Sequence, residues 1–137
     1  MAYPVKTRKT RRHARDNLLL WLEHRGRVWL VQRPDTGVWA GLWSFAELPD
    51  ETALDALTAG WPGAGELLTP IVHVLTHRDW TLRPLRWRWP DGLRAAELRR
   101  LEKDLPAGRW HESAEALNLG LPTPVRRWLA AEVPTAE

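Results

Sequence analysis

Apolar residues along this chain come in short runs, and the runs differ in period. Leu18-Leu19-Leu20-Trp21-Leu22 is uninterrupted, which predicts a strand buried on both faces. Glu23-His24-Arg25-Gly26 supplies a turn in which Gly26 is free to take positive φ, and Val28-Trp29-Leu30-Val31 is the return strand. Asp35-Thr36-Gly37 is loop chemistry. Ile71 to Thr76 alternates with β-branched residues and predicts a further strand. Trp80 to Trp89 predicts another, with Leu85, Trp87 and Trp89 on one face and Leu82, Arg86 and Arg88 on the other. Proline cannot donate to a ladder, so Pro84 predicts an edge or a bulge there.

Helical signals are brief. Asp50 is placed to cap a helix carrying Ala53, Leu54 and Leu57 on one face, and Gly60-Trp61-Pro62-Gly63 ends it. Arg94 to Asp104 reads as a polar helix and Arg109-Trp110-His111 as a short strand. Ser113 then caps a small helix that Gly120 ends. Thr123-Pro124 joins a hydroxyl N-cap to a proline at the first helical position. Val125, Trp128 and Leu129 form that helix's inner stripe, Arg126 and Arg127 face solvent, and Pro134 stops it. Strands mixed with short helices predict an α/β (α+β) fold, a mixed β-sheet with short flanking helices.

Composition narrows the class. A length of 137 residues fits one domain, and 44% hydrophobic with 27% charged residues is ordinary for a globular protein in water. Ten tryptophans beside one Tyr and one Phe are not ordinary. Most are expected in the core, with a minority left to stack on bases or on a partner. The net charge of +3 is unevenly spread: Lys6, Arg8, Lys9, Arg11, Arg12 and Arg15 all precede Asp16. Residues 1–14 therefore read as a basic interdomain connector and 15–137 as the domain. Lys6, Lys9, Arg11 and Arg12 suit phosphate contacts, and a merely solvated tail stands as the alternative. The absence of cysteine excludes disulfides and thiolate metal sites and fits a reducing, cytoplasmic setting. The charged start lacks the apolar stretch of a signal peptide, and no run reaches transmembrane length. His13, His24 and His111 have no metal-ligand spacing.

Chemistry concentrates after the second strand, in Gln32-Arg33-Pro34 and Gly37-Val38-Trp39-Ala40-Gly41-Leu42-Trp43-Ser44-Phe45. Gly41 and Glu47 resemble the opening of the Nudix hydrolase pattern. In that pattern an Arg-Glu pair follows, then a Glu-Glu pair whose carboxylates hold divalent cations on a pyrophosphate. Here the first pair is Asp55 and Ala56, and the metal-binding glutamates would fall at Ala59 and Gly60. Glu47 alone reads as a capping or surface carboxylate, and no metal is expected.

Taken together, the motifs resemble the C-terminal domain of bacterial adenine DNA glycosylases, the MutY family. Tyr3-Pro4-Val5-Lys6 resembles the end of that family's linker. The glycine-tryptophan segment resembles its most recognisable stretch, and His73-Val74-Leu75-Thr76-His77 its recognition loop. Gly120-Leu121-Pro122-Thr123-Pro124-Val125 resembles the start of its closing helix. The resemblance implies a Nudix-like fold without hydrolase activity that reads 8-oxoguanine opposite adenine in double-stranded DNA. A separate N-terminal helix-hairpin-helix domain with a [4Fe-4S] cluster would excise the adenine and be the chain's own partner. No cofactor is implied in this chain, which is expected to be an excised, monomeric, non-catalytic piece of a bacterial repair enzyme.

Oxidation gives guanine a carbonyl acceptor at C8 and an N–H donor at N7. The Thr76 hydroxyl can accept from one partner and donate to another, and the backbone N–H groups of Thr76 and His77 suit the new carbonyl. His77 either binds phosphate or holds the loop. Leu75 stands where the family has phenylalanine; it can wedge a base step but not stack as a ring. Arg78 suits phosphate, as does Arg33, which equally suits pinning the Gly37 loop. From the residues alone, Thr76 and His77 also fit an ordinary strand residue and a turn histidine. Two other functions stay open: a divergent Nudix pyrophosphohydrolase for oxidised nucleotides such as 8-oxo-dGTP, with Glu51, Asp55 or Glu66 as ligands, and a tryptophan-rich protein-interaction module.

Overall fold

The computed structural model describes residues 13–75 and 78–132. Its strands are β1 (His13–His24), β2 (Arg27–Gln32), β3 (Trp43–Ser44), β4 (Ala46–Leu48), β5 (Ala64–Leu67), β6 (Ile71–Leu75), β7 (Arg78–Arg88) and β8 (Arg109–Glu112). Its helices are α1 (Glu51–Thr58), α2 (Ala95–Glu102), α3 (Ser113–Ala116) and α4 (Thr123–Glu132). The eight strands form one mixed sheet in which β1 and β7 run parallel at the centre. Their register is continuous from His13↔Arg78 to Glu23↔Arg88, so β1 begins inside the stretch read as connector.

The uninterrupted apolar run of β1 is explained by cores on both sides. Leu18, Leu20 and Leu22 join Trp29, Leu54, Leu85, Trp89 and Leu101 on one face, beneath α1 and α2. Leu19 and Trp21 join Leu30, Phe45, Trp80, Leu82, Val125 and Leu129 on the other, beneath α3 and α4. The alternation expected of β7 holds, with Leu85 and Trp89 in one cluster and Leu82 in the other. The tryptophans belong to these two clusters: Trp21, Trp80 and Trp89 are fully buried, and Trp128 stacks on Phe45 with ring centroids 6.0 Å apart.

Local chemistry accounts for the joins. The β1–β2 hairpin closes on Arg25 (φ 53°) and Gly26 (φ 76°), the left-handed pair that a two-residue primed turn needs. Asp50 caps α1 by accepting from the Ala53 N–H at 2.9 Å. Pro84 lies in an interior strand rather than at an edge. Its carbonyl accepts from Leu68 N–H at 3.0 Å, so its nitrogen faces the same side, where β7 changes partner from β6 (ending at Leu82) to β5 (starting at Leu85). No ladder bond is lost at such a seam.

Two helix expectations are corrected. Ser113 is the first residue of α3 and does not cap it; its hydroxyl donates to Gly26 O at 3.2 Å and ties α3 to the hairpin. Arg126 turns inward, donating to Leu117 O at 2.6 Å and Leu119 O at 2.8 Å. It thereby satisfies carbonyls left open after α3, while Arg127 stays exposed. β5 carries no strand signature in its sequence and is exposed throughout.

Candidate functional site

The segment between β2 and β3 folds back on itself. Arg33 N–H donates to Leu42 O at 2.7 Å, Gly41 N–H to Pro34 O at 2.8 Å, and the Gln32 side-chain amide to Gly41 O at 3.2 Å. Gly41 takes φ 74°, which glycine accepts without cost, and Trp39 takes φ 59°, an uncommon conformation for a bulky residue. The strain is offset by where it sends the indole. Trp39 stacks on Trp80 at 4.6 Å and 24°, and it also meets the His73 ring of β6 at 5.2 Å.

Arg33 runs alongside these rings, with its guanidinium carbon 5.8 Å from the Trp39 centroid and 5.6 Å from that of Trp80, within cation–π range. Its Nε–H donates to Val38 O at 3.0 Å, and its terminal nitrogen pairs with Glu47 Oε2. The other Glu47 oxygen faces the Asn17 amide at 3.5 Å, and Asn17 Oδ1 accepts from Trp80 Nε1–H at 2.6 Å. Glu47 is thus neither a cap nor a surface carboxylate. Its side chain is 22% exposed, that of Arg33 is 13% exposed, and the pair closes a polar ring around stacked indoles.

The positions of the hydrolase pattern do not bring carboxylates together here. The surviving carboxylate of the hydrolase pattern is already neutralised by Arg33. Asp55, Ala56, Ala59 and Gly60 are exposed, and Ala59 and Gly60 supply no side-chain donor. Among the described residues no group of three or more His, Cys, Asp or Glu could hold a metal ion, so Glu51, Asp55 and Glu66 do not rebuild a cage. Nearby, Asp16 pairs with Arg83 at 2.7 Å across a groove of about 580 Å³ beside the start of α1. That contact raises the Arg83 pKa through its hydrogen bond and charge.

Of the residues singled out for recognition, Leu75 and Arg78 are cross-strand partners where β6 meets β7. Thr76 and His77 lie outside the described residues, as do Lys6, Lys9, Arg11 and Arg12. The link that sequence reasoning missed is His73, which joins the recognition strand to the glycine-tryptophan loop through Trp39. Strand alternation was the available signal, because it separates His73 from the outward Val72 and Val74.

The NUDIX domain family matches this chain over residues 17–131. Among solved structures, the C-terminal domain of mouse MUTYH, in complex with human PCNA, is similar at 20% identity and a TM-score of 0.60, with 89% of this chain and 93% of that one covered. The E. coli ORF135 protein aligns at 26% identity and a TM-score of 0.53 over 86% and 87% of the two chains. A MutT NUDIX hydrolase from Burkholderia pseudomallei aligns at 19% identity and 0.57, over 88% and 99%. No helix among the described residues is long and apolar enough to cross a membrane.

Proposed function

The chain belongs to the NUDIX domain family, and we propose that it is a member without hydrolase activity: the 8-oxoguanine-reading C-terminal domain of a MutY-type adenine DNA glycosylase. The observation that carries this reading is the state of Glu47. It is the carboxylate that the hydrolase pattern retains here, and it is held by Arg33 and Asn17 instead of facing a cation site. The likeness in fold to the MUTYH C-terminal domain, over nearly the whole of both chains, supports the same reading.

In this function Thr76 accepts the N7–H that only the oxidised base carries, and backbone N–H groups at Thr76 and His77 donate to its C8 carbonyl. Leu75 wedges the adjacent base step. Arg78, with Lys6, Lys9, Arg11 and Arg12, holds the phosphates without reading sequence. The Trp39–His73 contact braces β6, so the reading strand is anchored to a closed loop. Adenine removal belongs to an N-terminal catalytic domain with its [4Fe-4S] cluster, and this domain contributes orientation and lesion preference.

The test is duplex binding by the chain joined to its catalytic domain, comparing 8-oxoguanine:adenine with guanine:adenine. Thr76→Ala should reduce the preference about tenfold, since a good base-edge contact gives ~1–3 kcal/mol of discrimination. An unchanged preference would remove Thr76 as the reader. Magnesium-dependent pyrophosphate release from 8-oxo-dGTP by the isolated chain would replace the whole reading with a hydrolase.

A further inference from the structure

At the far end of the sheet from Leu75 and Arg78, a cleft of about 550 Å³ opens between the β1–β2 hairpin and the start of α2. That volume lies within the usual range for small-molecule sites. The ten steps of β7 from Arg78 to Arg88 put the two ends roughly 30 Å apart at ~3.3 Å per residue. The cleft therefore has no part in base reading, and the inference does not depend on the function proposed above.

We propose that this cleft binds a phosphate-bearing ligand with a flat aromatic body, of the nucleoside monophosphate class. Four observations converge on the anionic half. Ala95, the first residue of the eight-residue α2, lies in the wall, and the N-cap residue Arg94 makes no side-chain bond to the helix. The leading N–H groups thus lack a side-chain bond from the N-cap, and such a terminus favours an anion even with Glu97 in its first turn. His24 is only 7% exposed, its Nε2 is buried without a partner among the described residues, and it forms part of the wall. An adjoining cavity of about 240 Å³ shares His24 and Arg25 and is bordered by Trp89, whose buried Nε1–H also lacks a partner.

A buried polar atom without a partner is costly, and the Trp89 Nε1–H, with His24 as its Nε2–H tautomer, marks a place at the junction of two cavities that an acceptor-rich group would satisfy. Arg25 and Arg27 are exposed at the rim, and neither has an ion-pair partner among the described residues. Glu112, cross-strand from Arg27, is the carboxylate of this cleft's wall and leaves that wall net positive, while the adjoining cavity carries Asp91 and Glu23, the latter paired with Arg88 at 2.9 Å. The aromatic half follows from Trp110. Its indole is fixed by donating to Glu102 at 2.6 Å and by an edge contact with Trp29 at 5.2 Å. Trp110 and Leu98 line the same wall and supply its apolar surface.

The test is calorimetry on the 137-residue chain with adenosine monophosphate and, separately, with inorganic phosphate. Arg25→Ala and Arg27→Ala are the variants and Arg127→Ala, exposed on α4, is the control. Saturable nucleotide binding, tighter than phosphate, is expected, with about tenfold weakening in each rim variant, the loss of one charged hydrogen bond. The His24 imidazole nitrogens should shift on titration in a ¹⁵N spectrum. No saturation by about 10 mM, a range that already corresponds to binding weaker than ~3 kcal/mol, overturns the site. Rim variants that match the control also overturn it, and phosphate binding as tight as the nucleotide overturns the ligand class.

Discussion

Arg33→Ala is the sharpest test of the closed ring at Glu47. The substitution removes a guanidinium that pairs with a mostly buried carboxylate, donates to Val38 O at 3.0 Å and lies near two indole faces. A hydrogen bond between charged groups contributes ~1.5–3 kcal/mol and a carbonyl bond about 1 kcal/mol. The side chains are 13% and 22% exposed, so water screens part of the lost attraction, and a total near 3 kcal/mol is expected. For a domain of this size each kcal/mol lowers Tm by roughly 3–5 °C, which gives a drop of about 10–15 °C. Thermal and urea unfolding followed by circular dichroism would measure it. Glu47→Gln removes the charge that Arg33→Ala leaves unpaired, so the double variant should recover at least about 1.5 kcal/mol relative to additivity. A loss under about 1 kcal/mol for Arg33→Ala, with no coupling to Glu47, would refute the view that this pair holds the loop.

Two further outcomes follow from backbone geometry and burial. Gly63 has φ 92°, and a Cβ there would sit 2.0 Å from the Arg88 carbonyl oxygen; Gly63→Ala should cost about 2–3 kcal/mol in urea unfolding through strain at the β5–β7 junction. His111 has its pKa lowered, first by burial and then, against the pull of a backbone hydrogen bond and Glu115, by the Arg109 charge. Its neutral form is favoured in the fold, so its contribution is complete above the unfolded imidazole value of ~6.5 and is lost as pH falls through the lower folded value. His111→Gln should flatten the stability profile on the acid side of about pH 6.5, and an unaltered slope there would count against it.

Much of the scaffold was legible because it rests on local rules. The two-faced burial of Leu18–Leu22, the positive φ of Gly26, the Asp50 cap and the Val125–Leu129 stripe of α4 each follow from a few neighbouring residues. The site was legible only as a gap in a motif, because its contacts are made at long range. Asn17 and Glu47 are 30 residues apart, and Asn17 and Trp80 are 63 apart. Arg33 was read as serving either phosphate or the Gly37 loop, and its bond to Val38 O decides for the loop. Arg126 looked like a solvent-facing helix residue because the carbonyls it serves belong to the end of another helix. β5 escaped because its pairing comes from β7 and not from its own composition.

The seam at Pro84 also shapes the outer border of the sheet. β5 and β6 have β7 as their partner among the described strands, and they carry the exposed Leu67, Val72 and Val74. An apolar rim of that kind invites a foreign strand to dock and propagate. Because the rim is cut into pieces of four and five residues, with Pro70 between them, an incoming strand finds no long straight template. The same proline that looks misplaced in the middle of the sheet thus breaks up its outer border and disfavours edge-to-edge aggregation.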